Sequence, residues 1–311
     1  MKNRRSKRKR KDEVGSQFLR FLGVNAAGLN SKMLTFRNVI ENLKPSVVFV
    51  EETKFVGDQT LKLDGYVPYH KNRTSANGGG GVLLAVRVDL QPSFVRDGAD
   101  KAEAISVVIS TSKLDIRCCV AYGCQENEND EKKDDFWAYL DEEVDQAASN
   151  NTGFLLQFDG NLWGGESVVL GDPRPQNKNG RLFELFLERH PQLTIVNNLP
   201  ICEGVITRRR IANNKVEESV LDFFLVCNKV LPFVTNMVID EKKRHVLTKF
   251  GPAKQGRSAI DSDHYTMYID VSLEALKEDK NKWKYSTLSK VVLLKHSRKL
   301  QQILKSLVDV F

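Results

Sequence analysis

Buried strands that lead to polar side chains constrain this fold more than any other feature of the sequence. Apolar runs such as Val47 to Val50 and Gly153 to Phe158 predict buried β-strands. Five strands end, or nearly end, at residues able to bind a metal or a phosphate: Asn25, Glu52, Tyr122, Asp159 with Asn161, and Asp222. In α/β folds such strand ends meet at one rim, where sites form. Strands also end in polar residues because loops are polar, which explains each case singly but not easily all five.

The segment Ser262-Asp263-His264 supplies the best acid/base candidate among the five histidines. An imidazole titrates near neutral pH and exchanges protons when another group fixes its tautomer. Asp222 stands in an apolar run, where an unpaired carboxylate is costly. A buried pair of Asp222 with His264 would meet both requirements. A purely structural pair, or a surface pair, fits these two segments equally well.

Six motifs occur along residues 18–271, and together they resemble the endonuclease/exonuclease/phosphatase superfamily. In order they are Asn25-x-x-Gly28-Leu29, Glu52-Thr53-Lys54, Tyr122, Asp159-x-Asn161, Ser219-x-Leu221-Asp222 and Ser262-Asp263-His264. This superfamily includes exonuclease III-like abasic-site endonucleases, DNase I and the endonuclease domains of non-LTR retrotransposons. The resemblance implies an α/β fold, a four-layer α/β sandwich with two packed, mostly antiparallel sheets between helices.

The resemblance also implies a role for each site residue. Glu52 would be the principal ligand of Mg²⁺, or alternatively Mn²⁺, with Asp263 near it and Asn25 positioning this end of the site. Asp159 would orient or deprotonate the attacking water, while Asn161 and Tyr122 hold the scissile phosphate. His264, oriented by Asp222, would stabilise the charge of the transition state. Thr207 matches a threonine of the retrotransposon branch.

Two departures from the superfamily pattern bear on the substrate. Ala27 stands where abasic-site enzymes usually carry an acid, and Phe158 replaces the usual glycine before Asp159. The missing acid argues against a dedicated abasic-site repair enzyme. We therefore expect a Mg²⁺-dependent endonuclease of non-LTR retrotransposon type that nicks target DNA for reverse transcription. The alternatives are an abasic-site endonuclease, a superfamily phosphoesterase acting on RNA or a phosphorylated small molecule, and a catalytically silent nucleic-acid-binding module.

The positive charge of the chain is concentrated in its two tails. Of the net charge of +7, residues 1–13 carry +6 and residues 272–311 carry +5, which leaves −4 for the middle. Residues 1–14 predict a disordered basic tail for nuclear import or nucleic-acid binding, so DNA is the expected partner and the nucleus the expected location. Residues 15–273 are expected to form the catalytic domain. Residues 274–311 predict a basic linker and an amphipathic helix that docks on the core, on a partner or on a downstream domain.

Three further expectations concern local structure. The run Thr207 to Arg210 predicts a basic loop or hairpin that projects from the surface near the site. The acids of the predicted helix around Phe136 to Ala147 are expected to be solvated. No apolar run reaches the roughly 18–20 residues of a membrane span, and the N-terminus lacks the apolar centre of a secretion signal. The five cysteines show no zinc-ligand spacing and are expected to be reduced thiols.

Overall fold

Two β-sheets hold most of the chain that the computed structural model describes, which comprises residues 18–73, 80–251 and 259–272. The predicted basic tail and C-terminal helix lie outside the described residues. The strands are β1 (Phe18–Asn25), β2 (Val47–Glu51), β3 (Tyr66–Lys71), β4 (Val82–Arg87), β5 (Ser93–Asp97), β6 (Glu103–Ile109), β7 (Ile116–Tyr122), β8 (Gly153–Asp159), β9 (Leu193–Ile195), β10 (Cys202–Glu203), β11 (Arg208–Ala212), β12 (Lys215–Ser219), β13 (Asp222–Cys227), β14 (Val234–Ile239), β15 (Thr248–Phe250), β16 (Ala259–Asp261) and β17 (Met267–Ser272). The α-helices are α1 (Met33–Leu43), α2 (Asp130–Ser149) and α3 (Lys178–Arg189). Within these ranges, no helix has both the length and the apolar character needed to cross a membrane.

The strand order joins distant parts of the chain. The seven-stranded sheet has the order β10-β14-β17-β1-β2-β4-β3, and the six-stranded sheet has the order β5-β6-β7-β8-β13-β9. Most neighbours run antiparallel, and the parallel pairs are β1 with β2, β10 with β14, and β7 with β8. Two ribbons, β11–β12 and β15–β16, stand apart from the sheets. The mostly antiparallel sheets predicted from sequence are confirmed.

Alternation along the strands of the first sheet divides its side chains between two faces. Phe21 and Phe49 belong to the core cluster between the sheets, and the Phe49 ring packs edge-on against Phe224 of the second sheet, with centroids 6.1 Å apart. Leu22 and Val48, one residue further along their strands, belong to a second cluster beneath α1. This period of two is the reason that a continuous apolar strand can be buried on both faces.

The outer face of the second sheet is covered by α2 and α3. Trp137 of α2 packs against aromatic rings of β8 and of α3. Its ring centroid lies 6.4 Å from that of Phe158 in β8, and 6.0 Å and 5.3 Å from those of Phe183 and Phe186 in α3. The layers therefore run α1, first sheet, second sheet, and then α2 with α3. This is the four-layer α/β sandwich that the sequence predicted.

One acid of α2 contradicts the expectation that this helix has a solvated acidic face. Glu143 is fully buried, and the guanidinium of Arg117 donates two hydrogen bonds to it, of 2.7 Å and 2.9 Å. Ser106 and Arg96 also donate to this carboxylate. The prediction was wrong for Glu143 because the strand that α2 covers carries a buried arginine, and the helix periodicity alone does not reveal a counter-ion on another element.

Candidate active site

Six of the residues singled out from the sequence meet at one edge of the sandwich, and each sheet contributes three. The first sheet supplies Asn25, Glu52 and His264, and the second supplies Tyr122, Asp159 and Asp222. Asn25, Tyr122 and Asp159 are the last residues of their strands, and Glu52 directly follows β2. Asp222 instead begins its strand. It reaches the same edge because β13 runs antiparallel to β8, with Asp222 opposite Asp159.

Three side-chain hydrogen bonds cross between the sheets at this edge. The amide Nδ2 of Asn25 donates to Oδ2 of Asp159 at 2.8 Å, and the hydroxyl of Tyr122 donates to Oε1 of Glu52 at 3.0 Å. The third joins Asp222 to His264, whose Nδ1 lies 3.0 Å and 3.1 Å from the two carboxylate oxygens. The relative position of the two sheets therefore determines the geometry of the site.

Asn25 holds the centre of the rim. Its Nδ2 also donates to Oε1 of Glu52 at 3.4 Å, while its Oδ1 accepts the backbone N–H of Ala27 at 3.0 Å. The side chain is almost fully buried. One neutral amide thus links the two carboxylates, at Glu52 and Asp159, and keeps them at a fixed separation despite their like charge.

Tyr122 has a partner that the sequence analysis missed. Nε2 of Gln125 donates to the Tyr122 hydroxyl at 2.9 Å, which leaves the phenol proton for Glu52. Burial, together with the charges of Asp159 and Glu52, raises the pKa of Tyr122, so the phenol remains protonated at neutral pH. A glutamine in a polar loop three residues beyond a strand carries no sequence signal for this role.

His264 is buried between two carboxylates. Burial by itself lowers the pKa of this imidazole, but Asp222 at Nδ1 and the nearby Asp159 raise it to about 9. Nε2 faces Oδ2 of Asp159 at 4.0 Å. The ring is therefore protonated at neutral pH, and its Nε2–H points toward the space beside Asp159.

Asp159 accepts a hydrogen bond at each of its two carboxylate oxygens. It is buried, and its Oδ1 accepts the backbone N–H of Asn161 at 3.0 Å. Burial and the negative charge of Asp222 raise the pKa of Asp159 to about 7, against the opposing charge of His264. A carboxylate with a pKa near neutrality has the basicity that a general base needs. The Asn161 side chain donates to the carbonyl oxygen of Gly123 at 2.8 Å, which ties the loop after β8 to the loop after β7.

Asp263 lies near Lys32, as Glu52 does, and pairs with Arg208 of the β11–β12 hairpin. Its Oδ2 accepts hydrogen bonds from Nε of Arg208 at 2.8 Å, and Nη2 of the same guanidinium lies 2.8 Å away. Partial burial would raise the pKa of Asp263, but the charges of His264 and Arg208 hold it below its ordinary value. Among the described residues, no hydrogen bond joins Asp263 to Glu52. That Asp263 lies near a metal at Glu52 stays a prediction, and the sequence analysis missed Arg208.

Thr207 positions the start of β13. Its buried hydroxyl oxygen accepts the backbone N–H groups of Leu221 at 2.8 Å and of Asp222 at 3.1 Å. Both bonds fix the backbone from which the Asp222 carboxylate extends toward His264. The threonine that the resemblance singled out is thus a supporting residue of the Asp222–His264 pair.

Glu51 and Glu52 point in different directions because they are neighbours at the end of a strand. Glu52 faces the rim, whereas Glu51 is fully buried and neither of its carboxylate oxygens has a hydrogen-bond partner. Burial, together with the charges of Asp222 and Asp159, raises the pKa of Glu51 well above its ordinary value. Its surroundings beneath the site thus favour the protonated form of Glu51 over the carboxylate.

Several rim residues have a left-handed backbone, which is unfavourable for side chains other than glycine. The φ angles are +43° at Ala27, +47° at Glu52, +54° at Lys54 and +45° at Asn161. Each such residue costs on the order of 1–3 kcal/mol. Strain of this kind collects at sites where the surrounding structure imposes a functional geometry.

The donor chemistry of the rim decides where a metal fits. Oxygen atoms of Asp159 and Asp222 and a nitrogen of His264 lie within 4.8 Å of one another. However, Nδ1 of His264 already pairs with Asp222, and a protonated imidazole has no lone pair for a metal. Glu52 offers a partly exposed carboxylate beside the Asn25 amide, and its Oε2 lies 3.4 Å from Nζ of Lys54. The Glu52 carboxylate offers the oxygen ligands that a hard divalent cation such as Mg²⁺ or Mn²⁺ prefers, whereas Asn25 presents its Nδ2–H group to that carboxylate.

Solved structures with the same fold include three DNA-processing proteins. The endonuclease domain of TRAS1, a telomere-specific non-LTR retrotransposon, superposes with a TM-score of 0.59 and 16% identity, over 82% of this chain and 99% of that chain. The 3′-5′ exonuclease NExo from Neisseria meningitidis gives a TM-score of 0.60 and 15% identity, over 82% and 100% of the two chains. The AP endonuclease LMAP from Leishmania major gives a TM-score of 0.61 and 16% identity, over 82% and 88%.

The likeness to these proteins was found by comparing structures. No protein-family model matches the chain, and no curated protein matches it. The likeness therefore lies in the arrangement of strands and helices over most of the chain. On that arrangement, the chain has the endonuclease/exonuclease/phosphatase fold.

Proposed function

We propose that this chain is a Mg²⁺-dependent DNA endonuclease that nicks one strand, of the type that non-LTR retrotransposons use to open their target. The observation that carries the proposal is that two groups of side chains with different chemistry lie side by side at one edge of the sandwich. One group is the Glu52 carboxylate with Asn25, and the other is Asp159 facing the Asp222–His264 pair. Metal-assisted hydrolysis of a phosphodiester uses both a cation site and a proton-transfer site.

Each side chain has a task that follows from its contacts. Asp159, with its pKa raised to about 7, accepts a proton from the attacking water. His264, kept protonated by Asp222, presents Nε2–H to an oxygen of the phosphate as negative charge develops on it. Tyr122 accepts from Gln125 and donates its one proton to Glu52, and it thereby orients the carboxylate that would hold the metal.

A metal held by Glu52, with Asn25 beside it, would neutralise charge on the phosphate and its leaving oxygen. The remaining catalytic steps use groups of the chain itself. Because Lys54 lies close to Glu52, the site already balances this carboxylate with a cation before metal binding.

The surroundings of the rim suit a nucleic-acid strand. A cavity of about 310 Å³ opens beside Tyr122 and Gly123, and its wall carries Lys71, Arg73, Lys101 and Lys132 together with the acids Asp100, Glu103 and Glu128. The β11–β12 hairpin, which is bridged to His264, carries three consecutive arginines. These lysines and arginines offer contacts for the backbone phosphates of a nucleic acid.

Two features of the sequence support the retrotransposon type. Ala27 lacks the carboxylate that abasic-site enzymes usually carry at this place, and the run of lysines and arginines from Arg4 to Lys11 has the composition of a nuclear-import segment. We accordingly propose action on chromosomal DNA in the nucleus. The TRAS1 endonuclease domain offers one solved example of this fold in a non-LTR retrotransposon.

The test is conversion of supercoiled plasmid to nicked circle with Mg²⁺, with EDTA, and with the His264→Ala protein. An oligonucleotide duplex bearing one abasic site is assayed in parallel. We expect nicking of intact plasmid that requires both Mg²⁺ and His264.

Cleavage confined to the abasic duplex would replace the proposal with a repair activity. Cleavage of neither substrate, by protein whose circular dichroism shows a folded state, would overturn nuclease function. A phosphatase assay and a gel-shift assay would then separate a small-molecule phosphoesterase from a silent nucleic-acid-binding module.

A further inference from the structure

The base of the β11–β12 hairpin is hydrogen-bonded to the segment that carries His264. The backbone N–H of Arg209 donates to the carbonyl of Asp263 at 2.8 Å, and the N–H of Tyr265 donates to the carbonyl of Thr207 at 2.7 Å. These bonds form an isolated antiparallel bridge between Arg208 and His264. A displacement at the base of the hairpin is therefore transmitted directly to the catalytic segment.

Arg208 differs from the two arginines that follow it. The side chains of Arg209 and Arg210 pair across the hairpin, with Glu218 at 3.4 Å and Glu217 at 2.6 Å. Arg208 instead leaves the hairpin and places Nε and Nη2 on Oδ2 of Asp263, each at 2.8 Å. One arginine of the three thus connects the hairpin to an acid at the edge of the site.

The Arg208–Asp263 pair lies where solvent and ligand reach it. The side chains are 25% and 32% exposed, so an external anion can approach the guanidinium without unfolding the hairpin. A phosphate offers several acceptor oxygens in a geometry that suits a guanidinium fork, and it competes effectively with a single carboxylate oxygen.

We propose that Arg208 is a positioning residue that couples DNA binding to metal binding. Without DNA, Arg208 occupies the Asp263 carboxylate and weakens the attraction of this edge for a divalent cation. When a backbone phosphate engages Arg208, Asp263 is released to a cation held at Glu52. DNA and metal then strengthen each other's binding, and by reciprocity the factor is the same in both directions. This inference rests on the proposed function, because it presumes a metal at Glu52.

The first measurement is the affinity of DNA-free protein for Mn²⁺ by titration calorimetry. Arg208→Met removes the competing charge and is expected to tighten Mn²⁺ binding by about threefold to tenfold. Arg208→Lys retains a cation beside Asp263 and is expected to stay near the wild-type value. Arg210→Met is the matched control, since it removes the same charge from the same hairpin without touching Asp263. Thermal melts verify that each variant is folded.

The second measurement tests the coupling itself in His264→Ala protein, which is expected to bind DNA without cutting it. Mn²⁺ titrations with and without a short duplex are expected to differ by about threefold or more when Arg208 is present. The difference is expected to vanish in the R208M/H264A double variant. Arg208→Met that binds Mn²⁺ no more tightly than wild type overturns the inference, as does equal tightening by Arg210→Met.

The two proposals fail in different ways. Wild-type protein that binds Mn²⁺ and nicks plasmid, with no effect of Arg208→Met on Mn²⁺ affinity, overturns the coupling and leaves the nuclease proposal in place. Wild-type protein that neither binds Mn²⁺ nor nicks plasmid overturns both.

Discussion

Nε2 of His264 lies 4.0 Å from Oδ2 of Asp159, across the boundary between the two sheets. A direct hydrogen bond would bring these atoms to about 3 Å, so the ring and the carboxylate face each other over a narrow gap. A water molecule beside this pair, about 3 Å from both atoms, can accept from the imidazolium and donate to the carboxylate. A phosphate oxygen carries no proton, so it would take only the hydrogen bond from the imidazolium.

Removing either side of this gap, or the proposed metal ligand, is expected to suppress nicking. We predict that Glu52→Gln, Asp159→Asn and His264→Ala each lower the single-turnover nicking rate by about a hundredfold or more. The melting temperature should change by only a few degrees for Glu52→Gln and Asp159→Asn. It should fall further for His264→Ala, which leaves Asp222 buried without its imidazolium partner. A variant that keeps the full rate would show that its residue has no catalytic task.

The rate of nicking is expected to follow a bell-shaped pH profile. Asp159 must lose its proton to act as a base, and its pKa is raised to about 7, so the rate should rise through neutral pH. The pKa of His264 is raised to about 9, so the rate should fall as the imidazolium deprotonates above that pH. The two limbs belong to the coupled pair. In Asp222→Asn protein, which lacks the charge beside Nδ1, the alkaline limb should move to lower pH.

The same imidazolium should also leave a signature in stability. Because the folded-state pKa of His264 exceeds the unfolded value of 6.5, its charged form contributes stability that is fully present below pH 6.5. That contribution is lost as pH rises from 6.5 to about 9. Urea unfolding of wild type and His264→Gln, compared at several pH values, should show a difference that shrinks across this window. A constant difference would contradict the assignment.

Glu51→Gln is expected to stabilise the protein at neutral pH. The folded-state pKa of Glu51 is raised above its ordinary value of 4.5, so folding at higher pH requires the acid to stay protonated. Below pH 4.5 the carboxyl is neutral in both states and costs nothing. We expect the glutamine variant to gain unfolding free energy at pH 8, and almost none at pH 4. An equal gain at both pH values would point to packing instead of charge.

The buried pair of Arg117 and Glu143 gives a prediction about the core. Arg117→Met leaves Glu143 buried without its main counter-ion and should cost about 3–5 kcal/mol of unfolding free energy. The double change R117M/E143L removes both charges and should recover most of that loss. Arg189→Met, which breaks a half-exposed pair with Asp141, is the control and should cost less than about 1 kcal/mol. A double variant as unstable as the single one would argue against charge burial as the cause.

Strand ends were the part of the site that sequence reasoning could reach. Apolar runs in the sequence locate Asn25, Glu52, Tyr122 and Asp159 at the ends of strands. In α/β folds such strand ends meet at one edge of the sheets, so these residues were expected to lie together. Asp222 was expected at a strand end and stands at a strand start, because an antiparallel neighbour brings starts and ends together. The pairing of Asp222 with His264 follows from the cost of burying a lone carboxylate.

Contacts that depend on the direction of a loop or on a neighbouring strand could not be predicted from the sequence. Three consecutive arginines predict a basic hairpin, but they do not reveal that Arg208 alone pairs with Asp263. Likewise, Glu143 reads as one more acid on a polar helix until β7 places Arg117 beneath it. In both cases the partner lies on another element, and periodicity describes one element at a time.

The order in which the ribosome makes this chain delays the appearance of its active centre. Asn25 and Glu52 emerge early, whereas His264 emerges near the end of the domain, next to β17. The first strand also waits, because β17 is its antiparallel neighbour in the finished sheet. A nascent chain therefore holds Glu52 long before it holds the imidazole. On the proposed nuclease function, this arrangement confines cutting to molecules whose synthesis has passed β17.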